Sequence, residues 1–322
     1  MNDARARILR LLRHGTLTPS ELAIAAGVVQ RELHAHIEAL EKEGFSIPLH
    51  PLLGYEVRET PESLVAEDIA SRMEVPWLRN IEVLSVTHST NSLALEYGMR
   101  GELGPLAFFA ESQTAGRGRF GRVWESSSGE GLWMSLLLHL VEPMRLWPRL
   151  TTLTALAVAQ ALEGLDVYPR LHPQIKWPND VVCGGKKVAG ILAETGSHPK
   201  TGPFLVLGIG INVNQAAFSK EIAGTASSLR ILSGTQIDRT DLAARLLGHI
   251  HLSLSKIDAG FPAVLEAVKA RSCVMGTHLR VNSGGTLMEG VAENLDPDGC
   301  LLLRLEDGTL HTLSAGEVTL RE

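Results

Sequence analysis

The sequence predicts a multidomain α+β protein with three parts: an N-terminal winged helix-turn-helix, a central α+β domain built on a mixed sheet, and a small C-terminal all-β unit. At 322 residues the chain is longer than an ordinary single domain. Helix signals separated by tight glycine turns fill its first part. Strand and helix signals then alternate to about Arg271, after which short alternating strands remain. The boundaries read as residues 1–62, 63–270 and 271–322.

Ile8, Leu9, Leu11 and Leu12 give a first helix an apolar face, and His14-Gly15 ends it. Thr18-Pro19-Ser20-Glu21 is a capping box with proline at the first helical position, so a second helix starts there and stops at Gly27. In a third helix Leu33, Ile37 and Leu40 fall at helical spacing, leaving Arg31, His34, Glu38 and Glu41 outward, and Gly44 closes it. Helix, glycine turn, helix is the helix-turn-helix layout. Ser46 to Arg58 reads as a hairpin, the wing.

Thr60-Pro61-Glu62-Ser63 reads as a linker. Beyond it, strands are predicted over 82–87, 107–113, 132–140, 174–177, 187–194 and 204–213, with helices over 91–98, 150–162 and 241–255. Short glycine turns among these strands favour a mixed sheet over a doubly wound parallel one. From His278, the alternating Leu301, Leu303 and Leu305 are punctuated by Gly284-Gly285, Asp298-Gly299 and Asp307-Gly308, as in a small barrel or sandwich.

Composition excludes several classes. A formal charge of −6 provides no general basic field for nucleic acid. Cys183, Cys273 and Cys300 are odd in number and never form a CxxC pair, which argues against a disulfide framework or structural zinc and fits a reducing cytoplasm. The N-terminus lacks a signal-peptide core. The longest apolar run, Leu132 to Leu140, is interrupted by Ser135 and His139 and is too short to span a bilayer, so no membrane role is expected.

Two motifs carry chemistry. Gly116-Arg117-Gly118-Arg119-Phe120-Gly121-Arg122 matches G-x-G-x-x-G in letters, but Val123 to Gly129 is a poor helix start, so a dinucleotide fold is not supported. Gly184-Gly185-Lys186-Lys187 likewise lacks the spacing of a Walker loop. A glycine loop bearing arginines can instead bring backbone N–H groups and guanidinium forks close to phosphates. In Lys176-Trp177-Pro178-Asn179-Asp180, the proline breaks a strand and sets Asn179 and Asp180 on a turn. Lys187 opens the next strand and, if it points inward, lies beside Asp180. The plain alternatives are a solvated loop and a surface lysine pair.

Taken together, Ser89-Thr90-Asn91, Gln113 with GRGRFGRVW, KWPND, KVAGIL and Gly208-Ile209-Gly210-Ile211-Asn212-Val213-Asn214 resemble the biotin protein ligases, and most closely their bifunctional ligase and biotin operon repressor branch. The resemblance spans essentially the whole chain. It implies a catalytic central domain and a C-terminal SH3-like β-barrel. It also implies ATP-dependent formation of biotinyl-5'-AMP and transfer of biotin to a lysine of the biotin carboxyl carrier protein of acetyl-CoA carboxylase. Ser89, Thr90, Gln113 and Arg117 would read the biotin ureido ring and Trp124 would wall its apolar body. Asn91, Gly116, Gly118, Arg119 and Lys187 complete that set. ATP would meet Arg119, Arg122, Lys176, Asn179 and Asn212. Lys187, Arg119 and Asp180 would be catalytic, with Mg2+ on the pyrophosphate and its protein ligands unassigned.

The same resemblance implies a ligand-promoted homodimer and operator DNA, read by Arg31, His34 and His36. Here the sequence departs from that resemblance. The recognition helix opens with Val28-Val29-Gln30-Arg31-Glu32, and the wing reads Leu52-Leu53-Gly54-Tyr55. Residues 1–60 carry seven Lys or Arg against eight Asp or Glu, net −1, so phosphate attraction is weak. A ligase whose winged helix does not bind DNA is therefore the alternative. A ligand-sensing transcription factor would not need Arg117, Arg119, Asp180 and Lys187. A lipoate or octanoate transferase would not need the Ser89, Thr90 and Gln113 group.

Overall fold

A computed structural model describes residues 4–320. The outer limits expected for the first and last domains, residues 1 and 322, lie outside the described residues. Helices α1 (Ala4–Leu12), α2 (Pro19–Ala26) and α3 (Gln30–Lys42) precede a short hairpin of β1 (Leu49–His50) and β2 (Gly54–Tyr55). Thr18 caps α2 as the capping box requires, and Gly27 ends it in the left-handed conformation. Ile8, Leu9, Leu22, Leu33, Ile37 and Leu40 bury together in a core that Tyr55 and Val65 close. The hairpin is shorter than the predicted wing because Ser46 and Glu59 meet only as an isolated bridge.

Helix α4 (Ala66–Arg72), unmarked by any strong periodicity, receives this helical unit. Arg10 donates to the carbonyls of Ala70 at 3.0 Å, Ser71 at 3.1 Å and Met73 at 3.0 Å, capping the end of α4. Arg13 pairs with Asp68 and Arg5 with Glu67. Arg7 donates to the Ala26 carbonyl at 2.7 Å. The basic residues of α1 are therefore engaged inside the molecule.

The centre is a seven-stranded mixed sheet ordered β3-β4-β5-β9-β8-β7-β6. Its strands are β3 (Asn80–Thr87), β4 (Leu106–Gln113), β5 (Gly131–Leu138), β6 (Gln174–Lys176), β7 (Asp180–Cys183), β8 (Lys186–His198) and β9 (Gly202–Asn212). Only the β3–β4 pair is parallel. Helices α5 (Thr90–Met99), α6 (Arg149–Glu163), α7 (Leu229–Ser233), α8 (Arg239–Leu254) and α9 (Phe261–Arg271) complete this part. The sequence reading passed over β7, α7 and α9. Strand β5 ends two residues before the predicted Leu140, just short of the fully exposed Val141.

Alternation along the strands assigns the two faces. Leu205, Leu207, Ile209 and Ile211 of β9 join the large core with α6 and α8, whereas Phe204 and Val206 join Phe108, Leu137 and Ala94 under α5. Gly208 and Gly210 continue that second face, where the absence of side chains leaves space beyond the end of α5.

Strands β10 (His278–Ser283), β11 (Thr286–Leu295), β12 (Leu301–Leu305), β13 (Leu310–Leu313) and β14 (Glu317–Leu320) form an antiparallel sheet ordered β13-β12-β11-β10-β14. Its buried Leu279, Val281, Leu301 and Leu303 merge with the large core. The Trp177 indole donates to the Gly299 carbonyl at 3.1 Å, and Arg149 pairs with Asp298 at 2.6 Å. These contacts set β14 beside the turn between β6 and β7. No described helix is long and apolar enough to cross a membrane.

Candidate active site

Glycines make the site. A Cβ on Gly208 would stand 2.0 Å from Asn91 Oδ1, and one on Gly210 would stand 2.6 Å from the Trp124 ring. Over this floor a narrow cavity of about 50 Å3 is lined by Ser89, Thr90, Asn91, Gln113, Arg117 and Leu192, among others. Ser89 is the N-cap of α5, so the turn after β3 places two hydroxyls and an amide side by side. Gln113, the last residue of β4, accepts the Thr90 N–H at 2.8 Å and donates to Ser126 Oγ at 2.8 Å.

A second cavity of about 760 Å3 adjoins the first. It is lined by Arg122, Lys176, Asp180, Asn212, Gln215 and Glu317 together with further residues of the loops and of β14. Trp124 Nε1 and Gln215 Oε1, both on its walls, are buried without a hydrogen-bond partner in the protein. Such groups suit a polar occupant. Asn212 is engaged, donating to the Ser227 carbonyl and accepting from Gln215, each at 3.2 Å.

Gly118, Arg119, Trp124, Asn179 and Lys187 line both cavities. Lys187 Nζ lies 2.7 Å from Asp180 Oδ1, a charge contact rather than an aligned hydrogen bond, and 5.1 Å from the Trp124 ring centroid. The inward placement of Lys187 beside Asp180 is therefore the one the strand reading allowed. Arg119 donates to Asn179 Oδ1 at 2.7 Å, and Asn179 Nδ2 donates to the Ile191 carbonyl at 3.0 Å, tying the arginine loop to the β6–β7 turn. Burial draws the Arg119 pKa below its ordinary value, opposed by the charges of Asp180 and Glu317. Phe120, beside it, holds the left-handed conformation at φ 57°, a strained backbone for a residue with a side chain.

Of the residues singled out in the sequence, Gly116 alone among the biotin and ATP sets lines neither cavity. It packs where a Cβ would meet the Trp124 carbonyl at 2.4 Å, so it closes the loop. Arg31 and His34 lie exposed on α3, and His36 is half-buried there. Sequence reasoning missed Ser135, Glu194 and Glu317. Glu194 receives Arg117 at 2.5 Å and Asn91 at 2.8 Å, and Glu317 pairs with Arg122 across to β14. Ser135 had a signal: a hydroxyl inside an otherwise apolar buried strand needs a partner.

Residues 83–213 match the biotin/lipoate A/B protein ligase family, and residues 276–321 match the biotin protein ligase C-terminal domain. The bifunctional ligase/repressor BirA of Bacillus subtilis is 34% identical over 311 residues, covering 93% of this chain and 92% of its own. The chain belongs to the biotin protein ligase family. It is a biotin ligase, as the biotin–[acetyl-CoA-carboxylase] ligase of Mycobacterium tuberculosis is by name, which is 35% identical over 74% of this chain and 88% of its own. The biotin protein ligase of Aquifex aeolicus, solved with biotin and ATP, superposes with a TM-score of 0.64 at 30% identity, over 76% of this chain and 99% of its own. Within the ligase, the first family match holds the whole narrow cavity and the second holds β14.

Proposed function

We propose that the ligase joins biotin to ATP to form biotinyl-5'-AMP and then passes biotin to a lysine of the biotin carboxyl carrier protein of acetyl-CoA carboxylase. The carrying observation is the junction: two cavities meet at Lys187 and Arg119. Biotin occupies the narrow one, its ureido ring among Ser89, Thr90 and Gln113 and its carboxylate at Lys187. ATP occupies the large one, near Arg122, Lys176, Asn179 and Asn212. A carboxylate and an α-phosphate about 3.5 Å apart repel by about 5 kcal/mol at an effective dielectric near 20. Lys187 and Arg119 oppose that repulsion and stabilise the negative charge that grows on the oxygens of the α-phosphate. The carboxylate oxygen bonds to the α-phosphorus as the bond to the β-phosphate oxygen breaks, and pyrophosphate leaves.

In the second step the acceptor amine attacks the anhydride carbonyl, AMP leaves and the amine loses a proton. Asp180 orients Lys187 in the first step and takes up that proton in the second. Among the described residues no group of three His, Cys, Asp or Glu side chains could hold a metal. Mg2+ therefore fits as an ion carried by the triphosphate, with Asp180 the nearest carboxylate to the junction. When bound it neutralises charge on the departing pyrophosphate.

The division at 62/63 and 270/271 fits a winged helix-turn-helix, a catalytic domain and an SH3-like barrel. The Bacillus relative's name supports a repressor role, exercised as a ligand-promoted homodimer on operator DNA. The structure supports a weak one: Arg31 lies 3.7 Å from Glu32 and His34 lies 3.2 Å from Glu38, so two of the three expected reading residues face acids on their own helix. A ligase whose N-terminal unit serves packing alone is the reading that these pairs favour. Three unpaired cysteines and dependence on ATP agree with a cytoplasmic enzyme.

ATP–pyrophosphate exchange by the purified chain tests the central reading. Exchange that needs biotin supports it. A folded chain that exchanges nothing with biotin overturns it.

A further inference from the structure

Behind the polar residues that line the narrow cavity lies one more polar side chain, Ser135. Thr90 and Asn91 are each 4% exposed and Ser135 is 0% exposed, so each must find its partners within the protein. Asn91 Nδ2 donates to Glu194 Oε2 at 2.8 Å. A carboxylate that also receives Arg117 at 2.5 Å can only accept, so the Asn91 amide cannot turn over. Its Oδ1 then faces Ser135 Oγ at 2.6 Å, and the single Ser135 proton must lie between them.

The consequence falls on Thr90. Its Oγ1 lies 2.8 Å from Ser135 Oγ, too close for two oxygens without a proton, and Ser135 has none left to give. The Thr90 proton therefore points backward, to Ser135. Its other acceptor, Gln113 Oε1 at 3.2 Å, is also a protein oxygen. That contact is longer and its oxygen already takes the Thr90 N–H, so Ser135 is the acceptor that holds the proton, and Thr90 shows only lone pairs to the cavity. Gln113 is set in the opposite sense: its oxygen is occupied by the Thr90 N–H and its Nε2 keeps a spare hydrogen.

We propose that Ser135, held by Asn91 and Glu194, is a positioning and specificity residue that fixes Thr90 as an acceptor. The cavity then favours an acid whose ring carries N–H groups, a cyclic urea, over an acid whose ring has none to give, such as a dithiolane. This rests on the reading that Thr90 meets the biotin ring, and it adds what sets the polarity of that contact. The serine acts through Thr90 and touches no substrate.

A double-mutant cycle tests it. Biotin and lipoate binding are measured by calorimetry on the full chain as wild type, Ser135→Ala, Thr90→Val and both together, with KM and kcat for biotin beside them. Each single change should weaken biotin about tenfold, the loss of one buried hydrogen bond. The double variant should be no worse than Thr90→Val, and Ser135→Ala alone should raise KM while keeping kcat at saturation and leaving lipoate binding unmoved. Losses that multiply in the double variant, or Ser135→Ala binding biotin as wild type does, overturn the assignment of Ser135. Wild-type biotin binding by Thr90→Val overturns the placement of Thr90 itself. Should Ser135→Ala not fold, Ser135→Cys takes its place, with a loss of the same sign.

Discussion

Lys187 stands between Asp180, 2.7 Å away, and the ring of Trp124, 5.1 Å away, so one ammonium joins the floor of the ligase's narrow cavity to the wall of its wide one. Replacing it by alanine should lower biotin-dependent pyrophosphate exchange about 10²–10³-fold, the range for losing one preorganised charge-stabilising donor. Asp180→Asn should cost less in exchange than in overall transfer, because it leaves the ammonium but removes a base. Exchange assays beside carrier-protein biotinylation separate the two, and equal losses in both would confine Asp180 to orienting Lys187.

The glycine floor makes a steric prediction. Gly210→Ala drives a methyl into a ring 2.6 Å away, so Trp124 must leave its place against β9. The variant should keep its melting temperature within a few degrees yet weaken biotin binding at least tenfold by calorimetry. Unchanged affinity would mean that Trp124 does not wall the ligand.

Asp238 links α4 to α8. It caps α8 by accepting the N–H groups of Thr240 at 2.9 Å and Asp241 at 3.1 Å, and it pairs with Arg72. Burial raises its pKa, but the Arg72 hydrogen bond and the cap outweigh that and leave it lowered. A lowered folded-state value means stability that is present above the ordinary carboxylate range, near pH 4, and lost as pH falls through the folded value. Asp238→Ala should destabilise by about 1 kcal/mol at pH 7. Thermal melts from pH 7 to pH 3 should show that difference shrinking, and a constant difference would deny the charge a part.

Operator DNA gives a test in salt. With the arginines of α1 bonded inward, few cations remain to displace counterions, so the slope of log affinity against log salt should be shallow, about −2 to −3. Titration of labelled DNA at several salt concentrations measures it. A slope near −6 or steeper would show that α1 releases its arginines on binding.

Much of this could be read from the chain. The capping box at Thr18, the alternation of glycine with isoleucine in β9 and the proline turn after Lys176 are local signals, and each lies where the residues implied. Helix α4 was not legible, because its role is to receive Arg10 of α1 and Arg13 just after it, more than fifty positions away in sequence. Glu194 and Glu317 escaped for the same reason: a carboxylate on a strand looks solvated until the arginine loop between β4 and β5, far from it in sequence, supplies Arg117 or Arg122. The orientation of Lys187 was left open because a β-bulge opposite the Val181–Val182 step leaves Val188 as an extra residue in Lys187's own strand and breaks its alternation.

A floor of glycines also limits how this enzyme can change over generations. Any side chain gained at Gly208 or Gly210 can only take volume away, since both already press on Asn91 and Trp124. A lineage drifting toward a different acid would have to remodel the rim and the serine behind Thr90, through several coordinated replacements, before a new ligand found room.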